Sequence, residues 1–344
     1  MIAYEFVPFT ADWDSDFCRL FANEGFERSP TYLEWAFRST PGQGRLALAL
    51  DKESGGQVVG VLAAIPVRLR TPNGALRAFQ AVDLLVDPTY RGRGVFSSLG
   101  KTLMDGVAGL GGEVIWGFPN ESAAHTWFQR LGWMSLGQVP YMLRPLRSGF
   151  FLGRVATSLR GFNLRLGPKS RSVPGMAILD RFDMSTDRLW EAFATPKMCG
   201  IERTASWLNW RIFDKPNASY RTVGVFLGND ILAFATSTMV PRFGGMIHHF
   251  VEALCSGPKN LPLLLKLVNH EIAYATEQGA DASLCWCPEP APNHPVYLRA
   301  GFLPLPGFLR PTKTDVGLRP LRHVPEMITS GKNWYFSLLD FDGI

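Results

Sequence analysis

The sequence predicts a mixed α/β protein built from two copies of one domain, on three observations. The chain has 344 residues, 46% of them apolar, which is more than one ordinary hydrophobic core requires. Segments with the pattern of β-strands alternate with segments of helical periodicity. Motifs of the first half also recur in the second half, in the same order.

In the first half, four strands and two helices are predicted. The strand patterns are RLALAL (45–50), QVVGVLAAIPVRLR (57–70), FQAVDLLVD (79–87) and EVIWGF (113–118). Helical spacing of apolar residues is seen at Leu99, Leu103, Val107 and Leu110. ESAAHTWFQRL (121–131) predicts a shorter helix, which the following Gly132 ends.

In the second half, three strands and one helix are predicted. The strand patterns are RTVGVF (221–226), DILAFATSTMV (230–240) and MIHHFVEAL (246–254), and the helix is LPLLLKLVNHEIAYATEQG (261–279). Each half therefore predicts one α/β domain with a mostly antiparallel sheet.

The repeat itself rests on three pairs of segments. They are YLEWAFRSTP (32–41) with WLNWRIFDKP (207–216), WGFPNESAAHTWFQRLGW (116–133) with WCPEPAPNHPVYLRAGF (286–302), and YMLRPL (141–146) with GFLRPT (307–312). We predict a first domain at 1–146, a linker at 147–175, and a second domain at 176–344 that includes a C-terminal extension. The two domains are expected to pack as a pseudo-dimer within a monomer.

The linker is both basic and apolar. No acidic residue lies between Glu121 and Asp180, whereas arginines recur there. An apolar stripe at helical spacing predicts an amphipathic helix within 147–166; it consists of Phe151, Val155, Leu159, Phe162 and Leu166. Packing between the domains is the favoured interpretation of the stripe, and contact with a membrane surface is the alternative.

Composition argues against several classes of protein. No run of 18 apolar residues and no signal-peptide pattern occur, so a cytoplasmic protein is predicted. The five cysteines are odd in number and unevenly spaced, which argues against a disulfide framework. Cys285 and Cys287 lack a second pair, so no metal site is predicted. The net charge is +5, but no nucleic-acid-binding motif accompanies it, and we expect no nucleic-acid partner.

The glycine-rich segment VDPTYRGRGVFSSLG (86–100) has the pattern of an anion site. A strand, a tight turn and a helix follow one another, so unpaired N–H groups and the helix dipole meet at the turn. Gly92 and Gly94 let the backbone approach an anion, and Arg91 and Arg93 add guanidinium donors. The turn fits a pyrophosphate.

Two common phosphate loops do not match this turn. The G-x-G-x-x-G of dinucleotide-binding turns is incomplete at Ser97, and the G-K-S/T of a P-loop is missing. LLVDPTYRGRGVFSSL (84–99) instead resembles the acyl-CoA-binding motif of the GNAT superfamily of N-acyltransferases, R/Q-x-x-G-x-G/A after a strand. The sequence departs from that motif at Phe96, where a small residue is expected. WGFPNESAAHTWFQRLGW resembles the next motif of the superfamily.

The resemblance implies two GNAT-like domains in tandem and acetyl-CoA or another acyl-CoA as co-substrate. Only the first domain is expected to bind it, because the second lacks the turn. Residues implied in binding are Leu85, Val86, Arg91, Gly92, Arg93, Gly94, Val95, Phe96, Ser97 and Asn120. Among them, an amide near Leu85 and Val86 would polarise the thioester, and Asn120 would contact pantetheine or simply cap a helix.

The implied mechanism is direct transfer of the acyl group to an amine. Asp83 lies in an apolar strand and is the first candidate for the base, a buried carboxylate that caps a loop or pairs with an arginine being the alternative. His249 is the second candidate, with a structural histidine as the alternative. The tyrosine that often protonates the thiolate is replaced by Phe128, so the acid is absent or supplied from elsewhere.

The predicted function is transfer of an acetyl or hydroxyacyl group from acyl-CoA to a small primary amine. The preferred acceptor is an amino sugar or a nucleotide-linked amino sugar, since the tandem subgroup that the sequence resembles includes enzymes acting on amino sugars. A non-catalytic module that binds or senses acyl-CoA is the alternative function.

Overall fold

The computed structural model describes residues 1–169 and 171–341, whose strands form two mixed sheets. The first sheet contains β1 (Ile2–Pro8), β2 (Arg45–Asp51), β3 (Gln57–Thr71), β4 (Gly74–Val86), β5 (Val114–Gly117), β6 (Met134–Gln138), β9 (Gly200–Ile201) and β15 (Asp315–Pro320). The second contains β7 (Tyr141–Pro145), β8 (Met176–Ile178), β10 (Arg221–Leu227), β11 (Asp230–Arg242), β12 (Gly245–Cys255), β13 (Ala282–Trp286) and β14 (Leu303–Pro304).

The helices pack against these sheets. They are α1 (Asp14–Asn23), α2 (Pro30–Leu33), α3 (Val95–Gly109), α4 (Glu121–His125), α5 (Ser148–Val155), α6 (Ser185–Phe193), α7 (Ala205–Ile212), α8 (Leu261–Glu277) and α9 (His294–Arg299). The two longest are α3 and α8. Of the four positions that the sequence pattern identified for the first of them, α3 buries Leu99, Leu103 and Val107, whereas Leu110 directly follows the helix and is partly buried. In the described part of the chain, every helix is too short or too polar to span a bilayer.

The two sheets have the same order of strands. The first reads β1-β2-β3-β4-β5-β15-β6, with β9 on β3, and the second reads β8-β10-β11-β12-β13-β7-β14. Pairing is antiparallel except between β4 and β5 and between β12 and β13. The predicted mixed α/β fold is confirmed. The shared order also favours the interpretation of two copies of one domain; the pseudo-dimer and its domain boundaries stay predictions.

Each sheet includes a strand from the other half of the sequence. β7 lies between β13 and β14, and β15 lies between β5 and β6. Both strands contain Leu-Arg-Pro, at 143–145 and at 318–320, 175 residues apart. The match of YMLRPL with GFLRPT is therefore wrong, because Gly307–Leu309 forms a short 3-10 helix and the counterpart of β7 is β15.

Trp35 and Trp210 make a reciprocal contact between the halves. Their indole rings stack with centroids 5.3 Å apart. The Nε1 of Trp35 donates to the carbonyl oxygen of Trp210 at 2.6 Å, and the Nε1 of Trp210 donates to that of Trp35 at 2.7 Å. These residues occupy equivalent positions in YLEWAFRSTP and WLNWRIFDKP. A two-fold axis between repeated units produces a contact of this kind.

Replacing Trp210 with phenylalanine should lower the free energy of unfolding by about 1–3 kcal/mol, because the buried carbonyl of Trp35 loses its donor. Trp207→Phe is the matched control, since Trp207 lies on the same helix and its buried Nε1 has no hydrogen-bond partner among the described residues. Urea denaturation of both variants measures the difference. Equal losses would show that the reciprocal hydrogen bonds contribute nothing beyond ring packing.

The linker does not form the predicted continuous helix. α5 ends at Val155, a 3-10 turn follows at Thr157–Gly161, and the chain then reverses so that Arg165 pairs with Arg147. The reversal packs the returning chain onto α5 at Gly149, where a Cβ would lie 2.6 Å from the carbonyl oxygen of Arg160. The predicted continuous helix is wrong, because the chain turns back after α5 and Gly149, which has no Cβ, lets the returning residues pack closely against that helix.

The C-terminal segment crosses between the two sheets and is fixed by buried charges. Arg203, fully buried, donates to Glu252 at 2.9 Å and to Asp340 at 2.6 Å. Gln80 of β4 donates to the carbonyl oxygen of Asp340 at 2.8 Å. Such paired and hydrogen-bonded charges can remain buried, whereas isolated ones would not. The segment thereby closes one side of the cavity described next.

Candidate active site

A cavity of about 1060 Å³ lies where β4 and β5 separate, with walls from both halves of the chain. The two strands pair from Ala78 opposite Val114 to Ala81 opposite Gly117. β5 ends there, whereas β4 continues to Val86. The resulting wedge leaves one edge of β4 open to the cavity.

Asp83 sits in a β-bulge at this open edge. β3 places Val61 opposite Leu85 and Ala63 opposite Val82, so two residues of β4 lie opposite the single residue Leu62. Asp83 has a φ of 48°, a left-handed conformation that non-glycine residues seldom adopt. A bulge of this kind redirects a side chain, and here the carboxylate lines the cavity.

The carboxylate of Asp83 is paired with Arg28. The Nη2 of Arg28 donates to one oxygen at 2.6 Å, and its Nε lies 3.4 Å from the other. The side chain of Asp83 is only 4% exposed. Phe21 and Tyr32 hold the guanidinium between their rings, each centroid 4.9 Å away. The structure therefore contains the pairing with an arginine that the sequence analysis gave as an alternative for Asp83. Because Asp83 also lines the cavity, its role as the general base stays a prediction.

The amide of Val86 faces the cavity. The amide of Asp87 donates to the carbonyl oxygen of Val59 in β3, and successive residues of a strand direct their polar groups to opposite edges. The carbonyl oxygen of Val86 accepts from the Nε of Arg91 at 3.0 Å, which agrees with that orientation. Of the two positions predicted to polarise a thioester, the backbone geometry favours Val86 over Leu85.

The glycine-rich turn forms one end of the cavity. Gly94 is the N-cap of α3 with a φ of 80°, and a Cβ there would meet nothing within 4 Å. The amides that open a helix lack intrahelical partners, and lining residues of this turn are Gly92, Gly94, Val95, Phe96 and Ser97. The backbone can therefore cradle a pyrophosphate.

The two arginines of the turn take different positions. Arg91 lines the cavity, with its Nη2 2.8 Å from the carboxylate of Glu24. Arg93, also predicted to bind the co-substrate, is not part of the cavity lining; its guanidinium lies 5.3 Å from the ring centroid of Tyr90. Contact between Arg93 and a ligand phosphate stays a prediction.

Aromatic side chains form the wall next to the turn. The ring of Phe96 packs edge-on against Trp127 with centroids 5.5 Å apart, and Trp127 contacts Trp133 at 4.2 Å. Phe96, the departure from the small-residue motif, therefore extends an apolar surface. Asn120 lines the cavity and also caps α4, because its Oδ1 accepts from the amide of Ala123 at 2.9 Å.

The helix that carries Phe128 is wound as a π-helix over Thr126–Arg130. Thr126, Trp127 and Arg130 of this turn line the cavity, and Phe128 does not. π-helical turns are frequent at functional sites. A hydroxyl that sequence analysis missed is that of Tyr141, which lines the cavity and lies 2.7 Å from the hydroxyl of Thr312.

The second half of the chain supplies the opposite wall. His249 of β12 lines the cavity, and cationic side chains come from Arg242 and Lys313. Burial, and secondly the charge of Arg242, lowers the pKa of His249 from 6.5 to about 4. Its neighbour His248 points to the other face, where its Nδ1 lies 2.9 Å from the Ser283 hydroxyl.

Both histidines should make stability depend on pH. Burial and the charge of His249 lower the pKa of His248 to about 3. The unfolded chain then binds protons near pH 6.5 that the folded chain does not, so stability is complete above pH 6.5 and falls towards pH 4. Each histidine contributes a slope of up to about 1.4 kcal/mol per pH unit.

Urea denaturation at pH 7.5, 6.5, 5.5 and 4.5 should show this loss, and His249→Asn should reduce the slope. The comparison between variant and wild type removes the contribution of carboxylates. An unchanged slope in the variant would contradict the lowered pKa of His249.

The described residues show no group of three or more side chains suited to a metal ion. All five cysteines are free thiols. Burial raises the pKa of Cys285 and Cys287 well above 9.0, which keeps both thiols neutral.

Comparison with known proteins identifies a domain family for part of the chain. Residues 10–135 match the acetyltransferase (GNAT) domain family. This range contains β4, the glycine-rich turn and α3. No curated protein sequence matches the chain.

Solved structures of similar fold cover nearly the whole chain. A probable N-acyltransferase from Enterococcus faecalis has a TM-score of 0.61 at 11% identity, over 93% of this chain and 73% of that one. An N-acetyltransferase from Anabaena variabilis has a TM-score of 0.65 at 9% identity, over 93% and 73%. N-myristoyltransferase from Saccharomyces cerevisiae with bound myristoyl-CoA has a TM-score of 0.62 at 14% identity, over 92% and 79%. At these identities the likeness establishes the shared fold.

Proposed function

We propose, from the acetyltransferase (GNAT) domain at residues 10–135, that the protein is an acyl-CoA-dependent N-acyltransferase. The observation that carries the proposal is the wedge between β4 and β5, with the glycine-rich turn at one end and the amide of Val86 on its open edge. This arrangement offers a pyrophosphate cradle and a carbonyl-polarising donor in one cavity.

The reaction would proceed by direct attack of the amine on the thioester carbonyl. The nitrogen lone pair forms the N–C bond, the carbonyl oxygen becomes an oxyanion facing the Val86 amide, and the C–S bond then breaks. The nitrogen loses a proton to a base, for which Asp83 is the first candidate, and the departing thiolate gains one. Tyr141 is a cavity hydroxyl for that second transfer, since Phe128 has no proton to donate.

The acceptor is proposed to be a small primary amine, with an amino sugar or a nucleotide-linked amino sugar as the preferred class. Arg242 and Lys313 on the wall opposite the turn support an acceptor that carries an anionic group, such as a phosphate. Action as a cytoplasmic monomer stays a prediction.

Release of CoA thiol during steady-state turnover, followed with a thiol-reactive dye, tests the proposal. Acetyl-CoA and longer acyl-CoAs are first ranked by thermal shift, and the best is then incubated with a panel of primary amines. We expect one acyl-CoA bound per chain and amine-dependent thiol release. Tight acyl-CoA binding without release for any amine would support the alternative, a non-catalytic acyl-CoA-binding module.

Calorimetry supplies the stoichiometry. Two equivalent acyl-CoA sites per chain would contradict the assignment of binding to the first half alone, where the glycine-rich turn at 91–97 lies.

A further inference from the structure

We propose that residues 147–169, which we call the basic hairpin, bind the surface of a lipid bilayer that contains anionic headgroups. The proposal is independent of the catalytic activity. It rests on three features of the hairpin: exposed apolar side chains on one side, cationic side chains around them, and its position beside the mouth of the cavity.

Backbone hydrogen bonds define the shape of the basic hairpin. The amide of Ser148 donates to the carbonyl oxygen of Leu164 at 3.0 Å, and the amide of Leu166 donates to that of Leu146 at 2.8 Å. The returning strand of the hairpin therefore lies along the start of α5. These hydrogen bonds fix the backbone of the hairpin, so the direction of each side chain relative to the rest of the protein can be stated.

The side chain of Arg165 shows which side of the returning strand faces the protein. Its Nη2 lies 3.3 Å from the carboxylate of Glu277 at the end of α8. In an extended segment, alternate residues point to opposite sides. Leu164 and Leu166 therefore point away from α8.

Leu164 and Leu166 are strongly exposed, as are two further apolar side chains of the hairpin. The exposed fractions are 82% for Val155, 66% for Phe162, 67% for Leu164 and 48% for Leu166. Single exposed apolar residues are common on protein surfaces, but several within one short element indicate a binding surface. About half or more of each side chain stays exposed in the described part of the protein.

The charges of the basic hairpin favour an anionic partner. No acidic residue lies between Glu121 and Asp180 in the sequence, and exposed cations of the hairpin are Arg154, Arg160, Arg165 and Lys169. Of these four cations, Arg165 is paired with Glu277. An anionic bilayer offers phosphates for the remaining cations directly above hydrocarbon for the apolar side chains, and this layered chemistry matches an element that carries both.

The hairpin also lies next to the cavity. The guanidinium of Arg154 donates to the carbonyl oxygen of Phe243, and its Cζ lies 3.8 Å from the ring centroid of Phe150. Phe243 lines the cavity and is itself 46% exposed. A bilayer bound by the hairpin would therefore face the cavity mouth on the Phe243 side.

Co-sedimentation of the full chain with vesicles tests the proposal. Vesicles of phosphatidylcholine with about one third phosphatidylglycerol are compared with phosphatidylcholine alone, at low and high salt. We expect binding to the anionic vesicles that weakens with salt. The double variant Phe162→Ser with Leu164→Ser should weaken it at least about tenfold, and so should Arg160→Glu with Lys169→Glu.

Two matched variants serve as controls. Ile178→Ser with Leu227→Ser removes two apolar side chains of similar exposure, 65% and 72%, outside the hairpin. Lys259→Glu with Lys266→Glu reverses two exposed lysines, one just before α8 and one in its first half, the latter about 16 Å along the helix from Glu277. Both should bind vesicles as the wild type does, and thermal unfolding confirms that all variants are folded.

Three results would overturn the proposal. The wild-type chain fails to bind anionic vesicles, the hairpin variants bind as well as the controls, or only the charge-reversed variant loses binding, which would mean that the apolar side chains do not enter the bilayer. Light scattering distinguishes a further case: if the wild type self-associates and Phe162→Ser with Leu164→Ser makes it monomeric, the hairpin is an interface between copies of the chain and not a lipid-binding surface.

Discussion

Replacing Gly94 with valine should weaken acyl-CoA binding by about 100-fold or more, measured by calorimetry with the acyl-CoA that gives the largest thermal shift. Two effects add. At a φ of 80° the valine side chain strains the backbone and displaces the amides that begin α3. Its Cβ also enters open space on the cavity side, where the proposed pyrophosphate would approach those amides.

Gly55→Val is the matched control for the backbone strain alone. Gly55 also has a positive φ, 70°, and open space around a Cβ, but it lies in the turn before β3 and does not line the cavity. This variant should lose about 1–2 kcal/mol of stability and keep its affinity for acyl-CoA. If Gly94→Val binds acyl-CoA as tightly as Gly55→Val does, the glycine-rich turn is not the binding site.

The glycine-rich turn could be predicted from sequence because its determinants are local. Gly94, the arginines before it and the apolar spacing of α3 lie within one short segment, and each acts through hydrogen bonds and steric limits of its own neighbours. The strands β2, β3 and β4 were recognisable for the same reason. Their short apolar runs, bounded by turn residues, do not depend on distant parts of the chain.

The exchange of β7 and β15 between the sheets could not be predicted in this way. The pattern of a single strand does not identify its partner, since pairing depends on contacts across more than 100 residues of chain. The shared Leu-Arg-Pro of the two strands was the available signal, at the same separation of 175 residues as Trp35 and Trp210. It identifies equivalent strands but not the sheet that each joins.

The residues that surround Asp83 could not be predicted from the sequence either. Arg28 is 55 residues away, in a loop with no periodic pattern, and its interaction with Asp83 depends on the bulge in β4. The aromatic residues that hold Arg28, and Tyr141 with Thr312, likewise meet only in the folded chain. A strand pattern predicts that successive side chains point to opposite faces of the sheet. It does not predict where a bulge interrupts this alternation.

Asp83→Asn should lower kcat/KM by about 100-fold or more if Asp83 is the general base, with acyl-CoA affinity unchanged. Asparagine tolerates a positive φ, so the bulge should be retained. The remaining rate should increase about tenfold per pH unit up to the pKa of the amine, because only the neutral amine can then attack. Steady-state kinetics over pH 6–9 measures both effects.

Asp87→Asn is the matched control for this variant. Asp87 directly follows β4, and its carboxylate accepts from the amide of Thr89 at 2.9 Å without lining the cavity. Its replacement should leave kcat/KM within about a factor of two, since it touches neither substrate nor Asp83. Arg28→Lys separates positioning from proton transfer: it should alter kcat while preserving the pH dependence of the wild type.

His249 is the alternative base, and the structure favours Asp83 over it on two grounds. With a pKa of about 4, His249 would accept a proton from an ammonium weakly at neutral pH. Asp83 lies three residues before Val86 on the same strand, about 10 Å along it at full extension and closer across the bulge, so its carboxylate reaches an amine at the thioester directly or through one water. Full activity of Asp83→Asn together with loss of activity in His249→Ala would assign the base to the second half of the chain. Full activity of both variants would mean that the amine arrives neutral and that the cavity acts by positioning the amine and polarising the thioester.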